Sequence, residues 1–165
     1  MGGGFPAHYI QPVEETHVYA ARLADYLHEF FGENLPKIII EPGRYMVGDA
    51  GVLVTEVMMI SNKELDSGIP WLYVDVGKFG GLIETLGESL KYPIYSERTG
   101  AINAYVLAGP TCDSMDVLYE KMTYRLPSSL EEGDRLYFLT TGAYTQTYSS
   151  IFFNGIPPLE SYVID

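Results

Sequence analysis

The sequence predicts a mainly-β chain of the α+β class, in which a Greek-key-like β-sandwich or barrel follows one helix and one buried strand. Three observations predict this class. Apolar residues recur at helical spacing near the N-terminus, a short β-branched run follows them, and β-rich segments separated by turn residues fill the remainder. With 165 residues and 47% hydrophobic content, the chain is long enough to bury a core.

The helix is predicted within residues 11–32, where Gly32 stands just past the last apolar position. Its apolar face contains Tyr19, Leu23, Leu27 and Phe30. The run 37–41 (KIIIE) then has the continuous apolar character of a strand buried on both faces, as in a parallel sheet.

The β-rich part begins after Gly43 and Gly48, and its turns contain Asp66-Ser67-Gly68 and Glu132-Gly133-Asp134. The candidate strands, expected to be antiparallel, are residues 52–60, 71–76, 92–96, 101–107 and 135–141. Composition changes between residues 45 and 51 without a Pro- or Ser-rich linker. We therefore expect two parts that pack together.

Charge and cysteine content exclude several classes of partner. The net charge of −12, with only ten Lys and Arg residues, argues against nucleic acid or an anionic membrane surface. A single cysteine cannot form an internal disulfide, so a reducing, cytoplasmic location is expected. The N-terminus lacks a signal-peptide pattern, and no apolar run reaches the roughly 18 residues of a membrane span.

Two clusters have the chemistry of a phosphate-bearing, ring-containing cofactor. The run Gly2-Gly3-Gly4 allows backbone N–H groups to approach a phosphate, although a glycine-rich start is also typical of a flexible end. Glu41 and Arg44 end the predicted buried strand, where a carboxylate can keep a pyridine nitrogen protonated and a guanidinium can pair with phosphate. The alternative is a strand-to-turn connection with a surface ion pair.

Two further clusters lie in the β-rich part. Cys112 and Asp113 follow a predicted strand, where the thiol can donate a proton and the carboxylate can face a substrate ammonium group. A lone cysteine is also often a small buried hydrophobe. Tyr144 is a candidate phosphate ligand or a core or rim residue. The three histidines have no partner at metal-ligand spacing, so no metal site is expected.

Taken together, the clusters resemble the ornithine/lysine/arginine decarboxylase family of the alanine-racemase-like fold. The family motifs occur in order over nearly the whole chain, as GGGFP, EPGRY, GPTCDSMD, LPSSLEEGDRLYFLTTGAYT and FNG, and VDVGKFGGLIETLGE looks like the bacterial members. The resemblance implies residues 1–47 as a remnant of a truncated (β/α)8 barrel, its last βα part, and residues 48–165 as the C-terminal β-domain.

The resemblance also implies the cofactor, pyridoxal 5′-phosphate, and its ligands. Gly2, Gly3, Gly4, Gly43, Arg44 and Tyr144 would contact the cofactor, mainly at its phosphate, and Glu41 would contact the pyridine nitrogen. A lysine that forms the imine with the cofactor is expected upstream of the triple glycine. Lys78 and Lys91 have the wrong sequence context to replace it.

By the same resemblance, Cys112 would supply the proton that replaces CO2, and Asp113 and Asp75 would bind the distal amine of a diamino acid. Cys112 and Asp113 would enter the active site of a partner subunit, which implies a homodimer. The CDSMD form favours ornithine or lysine over diaminopimelate, whose decarboxylases typically have Cys-Glu-Ser-x-Asp there. Asp75-Val76-Gly77 departs from the Asn-Asp-Gly of eukaryotic members.

Two hypotheses follow. In the first, the chain is part of a decarboxylase that makes putrescine or cadaverine for polyamine synthesis and is inactive without the barrel. In the second, it is a non-catalytic dimerisation or regulatory module, which leaves the thiol and the pyridine carboxylate without a use. A racemase on the same fold has no need of the Gly-Pro-Thr-Cys-Asp loop.

Overall fold

The computed structural model describes residues 1–62 and 68–164. Two helices, α1 (Thr16–Phe31) and α2 (Gly43–Val47), precede the strands. The strands are β1 (Val52–Ser61), β2 (Trp71–Val74), β3 (Ile94–Ser96), β4 (Ile102–Ala108), β5 (Val117–Pro127) and β6 (Arg135–Leu139). The turn predicted at Asp66 and Ser67 lies outside the described residues.

The six strands form one mixed sheet in the order β3-β6-β1-β2-β4-β5. The predicted mainly-β class is confirmed, but the expectation of wholly antiparallel pairing is wrong for β2 and β4, which run parallel. The connection between them explains the difference, because it crosses the sheet to place β3 beside β6 and then returns. A crossover of this kind is what parallel neighbours require.

The core covers one face of β1, whereas residues 105–108 of β4 are all buried, so both faces of the sheet are covered there. Along β1, Leu53, Thr55 and Val57 are buried while Val52 and Val54 are exposed, the alternation expected of a strand with one covered face. Across the sheet the core is rich in aromatic and branched residues, including Leu72, Val74, Tyr92, Tyr105, Leu107, Leu118, Tyr119, Tyr124, Leu136 and Phe138.

The longest strand, β5, is absent from the sequence prediction. It is eleven residues long and pairs with β4, and Leu118, Tyr124 and Leu126 are buried in the core. Glu120 and Lys121 interrupt its apolar pattern, which hides the strand when periodicity is the main signal. The five strands predicted in the β-rich part are all present, with slightly different ends.

The predicted helix is confirmed as α1, whereas the strand predicted at residues 37–41 is wrong for this chain. Ile38, Ile39 and Ile40 are exposed and belong to no strand. A strand needs hydrogen-bonded neighbours on its edges. Among the described residues, this segment makes only two hydrogen bonds to the N-terminal residues, from the Glu41 N–H to the Gly2 carbonyl and from the Met1 amine to the Ile39 carbonyl. Among the described residues, no helix is long and apolar enough to cross a membrane.

Candidate active site

A cleft of about 840 Å³ lies where the N-terminal segment meets α2 and the β-rich part of the chain. Its walls are Gly3, Gly4, Phe5, Pro6, Glu41, Pro42, Gly43, Arg44, Met46, Glu84, Tyr144 and Tyr148. Six of the seven residues predicted to bind the cofactor are therefore together in one cleft. Gly2 is not part of its wall, although its carbonyl accepts a hydrogen bond from the Glu41 N–H at 3.2 Å.

Glycines at and near this cleft have backbone geometry that other residues would not fit, and a Cβ at Gly3 would come within 2.9 Å of the Glu41 carbonyl oxygen. Gly4 has φ +88°, a conformation that L side chains rarely adopt. On the opposite side, a Cβ at Gly142 would collide with the Val47 carbonyl, so only glycine lets the segment leading to Tyr144 pack against the end of α2. The Gly142 N–H donates to the Gly48 carbonyl at 2.9 Å. These contacts join the two predicted parts of the chain around the cleft.

Arg44 is the central charged group of the cleft. Its Nη1 donates to Glu84 Oε2 at 3.0 Å and its Nη2 to Glu84 Oε1 at 2.5 Å. Nη1 also donates to the Tyr9 hydroxyl at 2.7 Å. The hydrogen bonds to Glu84 raise the pKa of Arg44 above its ordinary value, so the guanidinium remains charged at any physiological pH.

Aromatic rings support this guanidinium. The Arg44 Cζ lies 4.8 Å from the centre of the Tyr144 ring and 5.8 Å from the centre of the Tyr9 ring. Tyr144 has φ +56° and its ring also contacts that of Tyr148, with centroids 5.5 Å apart. Burial raises the pKa of Tyr9, so its phenol is neutral and its oxygen is free to accept from Arg44.

Glu84 and Tyr9 are site residues that sequence reasoning missed. Glu84 lies in the segment Ile83–Glu88, within the VDVGKFGGLIETLGE stretch, and Tyr9 follows the glycine run closely. Neither belongs to a recognisable chemical motif. Charge alone could have indicated Glu84, because a half-buried arginine needs a carboxylate partner.

The predicted cluster of Cys112 and Asp113 lies apart from this cleft. Cys112 and Asp113 are exposed on the loop between β4 and β5, and Asp113 accepts from the Met115 N–H at 2.8 Å. Asp75 accepts from the Thr55 hydroxyl and, at 2.9 Å, from the Glu56 N–H, both through Oδ1. Asp75 and Thr111 line the same small cavity, so the structure brings Asp75 beside the loop that contains Cys112.

Asp116 and Lys78 anchor this loop to the segment that follows β2. The buried Asp116 carboxylate accepts from the Lys78 N–H at 2.7 Å, and from the Thr111 hydroxyl at 2.8 Å and N–H at 3.2 Å. Lys78 Nζ donates to the carbonyls of Met115 at 2.7 Å and Val117 at 2.6 Å. Burial lowers the pKa of Lys78, and the Asp116 charge opposes that effect.

Lys78 and Lys91 are both absent from the wall of the cleft, and Lys91 Nζ donates to the Glu88 carbonyl at 3.0 Å. In the described part of the chain, no three His, Cys, Asp or Glu side chains are placed to share a metal ion. His8 instead pairs with Asp49, 2.8 Å away.

The cleft has the donors that a site for a small ligand with an anionic group needs. The residues fit pyridoxal 5′-phosphate, because glycine backbone and a fixed arginine suit a phosphate and Glu41 suits a pyridine nitrogen.

Comparisons with known proteins identify the family. Residues 17–142 match the model of the pyridoxal-dependent decarboxylase C-terminal sheet domain. This chain therefore belongs to the pyridoxal-dependent decarboxylase family, whose cofactor is the one that the sequence predicts. Structures of a related lysine decarboxylase have been solved in complex with pyridoxal phosphate.

Individual relatives support the assignment. The chain is 29% identical to the lysine/ornithine decarboxylase of Selenomonas ruminantium over 94% of its own length and 37% of the relative's. It is 32% identical to the diaminopimelate decarboxylase of Staphylococcus aureus strain COL over 91% of its length and 36% of the relative's. The Vibrio vulnificus lysine/ornithine decarboxylase complexed with cadaverine superposes with a TM-score of 0.80 at 32% identity, covering 95% of this chain and 41% of that one. The chain thus spans about two fifths of these proteins.

Proposed function

We propose that this chain is the C-terminal portion of a decarboxylase that converts L-ornithine or L-lysine to putrescine or cadaverine and CO2. The observation that supports the proposal most is the single cleft shared by Gly3, Gly4, Glu41, Arg44 and Tyr144. These residues come from both ends of the chain, yet they form one site with the donors that a phosphate and a pyridine ring need.

Within that site, the Gly3 and Gly4 backbone, Arg44 and Tyr144 bind the phosphate, and Glu41 holds a proton on the pyridine nitrogen. Pyridoxal 5′-phosphate, when bound, supplies a ring that accepts the electron pair released as CO2 leaves. Because the Arg44 guanidinium is fixed by Glu84 before any ligand arrives, little ordering is required when the phosphate binds.

Cys112 and Asp113 act in the cleft of a second copy of the chain. Cys112 Sγ delivers the proton that replaces CO2, and Asp113, with Asp75, binds the distal ammonium group of the substrate. The exposure of both loop residues and their position outside the Arg44 cleft support an active site that is shared across a homodimer. In this proposal the enzyme is cytoplasmic and contributes to polyamine synthesis.

The substrate preference rests on Asp113 and on the relatives. Lysine/ornithine decarboxylases are among them at 29–32% identity, but so are diaminopimelate decarboxylases at 28–32%. Asp113 favours a distal ammonium group without a neighbouring carboxylate, since it provides negative charge and forms no ion pair with a basic side chain of the described residues. A diaminopimelate-specific site would need a cation for the second carboxylate.

The test is CO2 release from ornithine, lysine and meso-diaminopimelate by this chain, alone and mixed with the barrel portion of a related decarboxylase that contains the imine-forming lysine. We expect release only in the mixture, and ornithine or lysine as the substrate. A Cys112→Ala variant controls for activity of the barrel portion alone. A stable mixed complex that is inactive on all three substrates would contradict the proposal, and preference for diaminopimelate would contradict the assigned substrate.

A further inference from the structure

Arg44 uses three of its five N–H donors in hydrogen bonds to the side chains of Glu84 and Tyr9. Glu84 receives one from Nη1 and one from Nη2, the pair at the end of the guanidinium plane. The Tyr9 hydroxyl receives the other Nη1 donor. Among the described residues, no side chain accepts from Nε or from the second hydrogen of Nη2.

These two remaining donors lie on the same edge of the planar guanidinium and point in parallel. An edge of this kind is the arrangement that binds two oxygens of one phosphate. The polar side chains that contact Arg44 thus occupy every donor except the pair suited to a phosphate, within a cleft that also contains the Gly3 and Gly4 backbone.

Glu84 lies in the segment Ile83–Glu88, and its carbonyl accepts hydrogen bonds from the Ser89 hydroxyl at 2.8 Å and from the Leu90 N–H at 3.2 Å. Glu88 ends that segment and accepts hydrogen bonds from three successive N–H groups of β5, those of Glu120, Lys121 and Met122, at 2.6–2.9 Å. Tyr9 packs edge-on against the buried Tyr92 ring, with centroids 5.6 Å apart. Both partners of Arg44 are therefore fixed to the β-rich part of the chain.

We propose that Glu84 and Tyr9 are positioning residues that orient Arg44 so that its Nε–Nη2 edge binds the phosphate of the cofactor. The inference rests on the proposed function for the identity of the phosphate and adds the residues that aim the arginine. It predicts that geometry at position 84 matters in addition to charge.

Inorganic phosphate titrated into this chain, followed by calorimetry, tests the proposal. Glu84→Asp keeps the charge but shortens the side chain by one methylene, so the paired hydrogen bonds to Arg44 are lost and phosphate affinity should fall about tenfold. Tyr9→Phe removes one acceptor and should weaken binding by about two- to threefold. Glu120→Asp, the same change at an exposed site outside the cleft, is the matched control and should leave affinity unchanged.

A second readout reports the orientation directly. In the unmodified chain the Arg44 guanidinium should rotate slowly, which the Nε–Hε signal reports by ¹⁵N NMR. In Glu84→Asp the guanidinium should rotate freely. If Glu84→Asp does not fold, Tyr9→Phe decides the question with the same readout. Unchanged affinity and unchanged rotation in the folded variants would overturn the positioning role, as would increased affinity.

Absence of phosphate binding to the unmodified chain would also overturn this inference. The decarboxylation assay on the mixed complex would still test the proposed function, so the two failures are distinguishable.

Discussion

Glu88 is a single residue that ties the segment containing Glu84 to β5. Its carboxylate accepts three backbone N–H groups of β5, and its backbone has φ +58°. Glu88→Ala should leave these donors without their partner and lower the free energy of unfolding at pH 7 by about 1–3 kcal/mol. Chemical denaturation measures the change, and Glu120→Ala on the same strand is the control, with an expected change below about 0.5 kcal/mol.

The same carboxylate predicts a pH dependence. Partial burial raises the pKa of Glu88, but the three N–H donors outweigh it, and the folded-state pKa lies below the ordinary value of 4.5. A depressed pKa means that the stabilisation is complete above that ordinary value and is lost as the pH falls through the folded-state pKa. The difference between the unmodified chain and Glu88→Gln should therefore shrink on acidification below about pH 4. A constant difference from pH 7 to pH 3 would contradict this explanation.

At the scale of elements, Asp116 holds the loop between β4 and β5 in place. Asp116→Asn preserves the size of the side chain but replaces one carboxylate oxygen with an NH2 group. This group would face a hydrogen-bond donor of Lys78 or Thr111, so one of the present hydrogen bonds would be lost. We expect a loss of about 1–3 kcal/mol in unfolding free energy, and faster hydrogen exchange at residues 109–113. Exchange that is unchanged in this loop would show that other contacts fix it. Ser114→Ala, in the same loop, is the control.

The segment 37–41 exposes three isoleucines, which are 41%, 65% and 44% accessible. An exposed apolar run of this kind promotes association between copies of the chain. Ile39→Lys should reduce self-association in sedimentation velocity without changing the melting temperature. Ile102→Lys, at another half-exposed isoleucine, should leave association as it is. If both variants associate like the unmodified chain, this segment is not the contact surface.

These elements also show what the sequence can predict. Helix α1 and most strands follow from periodicity and turn residues, because each signal is local. Residues 37–41 have the pattern of a buried strand but pair with no strand in the described part of the chain, and β5 pairs well despite a weak pattern. Pairing is a property of the whole sheet, so neither outcome is visible in a short stretch of sequence.

At the scale of the whole molecule, the cleft depends on contacts between distant parts of the chain. Gly3, Glu41, Arg44 and Tyr144 were recognisable from their motifs, and the fold places them together. Glu84 was not, since its role arises only when residues 40 positions apart in sequence meet at Arg44. Functional residues that belong to a motif can be predicted from the sequence. The residues that orient them are visible only in the structure.

If the cleft binds the phosphate of the cofactor, pyridoxine 5′-phosphate added to the chain should change the amide NMR signals of the cleft residues. This probe has the ring and the phosphate but no aldehyde, so it cannot react with lysines. We predict shifts at the amides of Gly3, Gly4, Gly43 and Tyr144 and at the Arg44 side chain, and none of that size with pyridoxine. Equal shifts from both compounds, or shifts confined to residues outside the cleft, would contradict the claim.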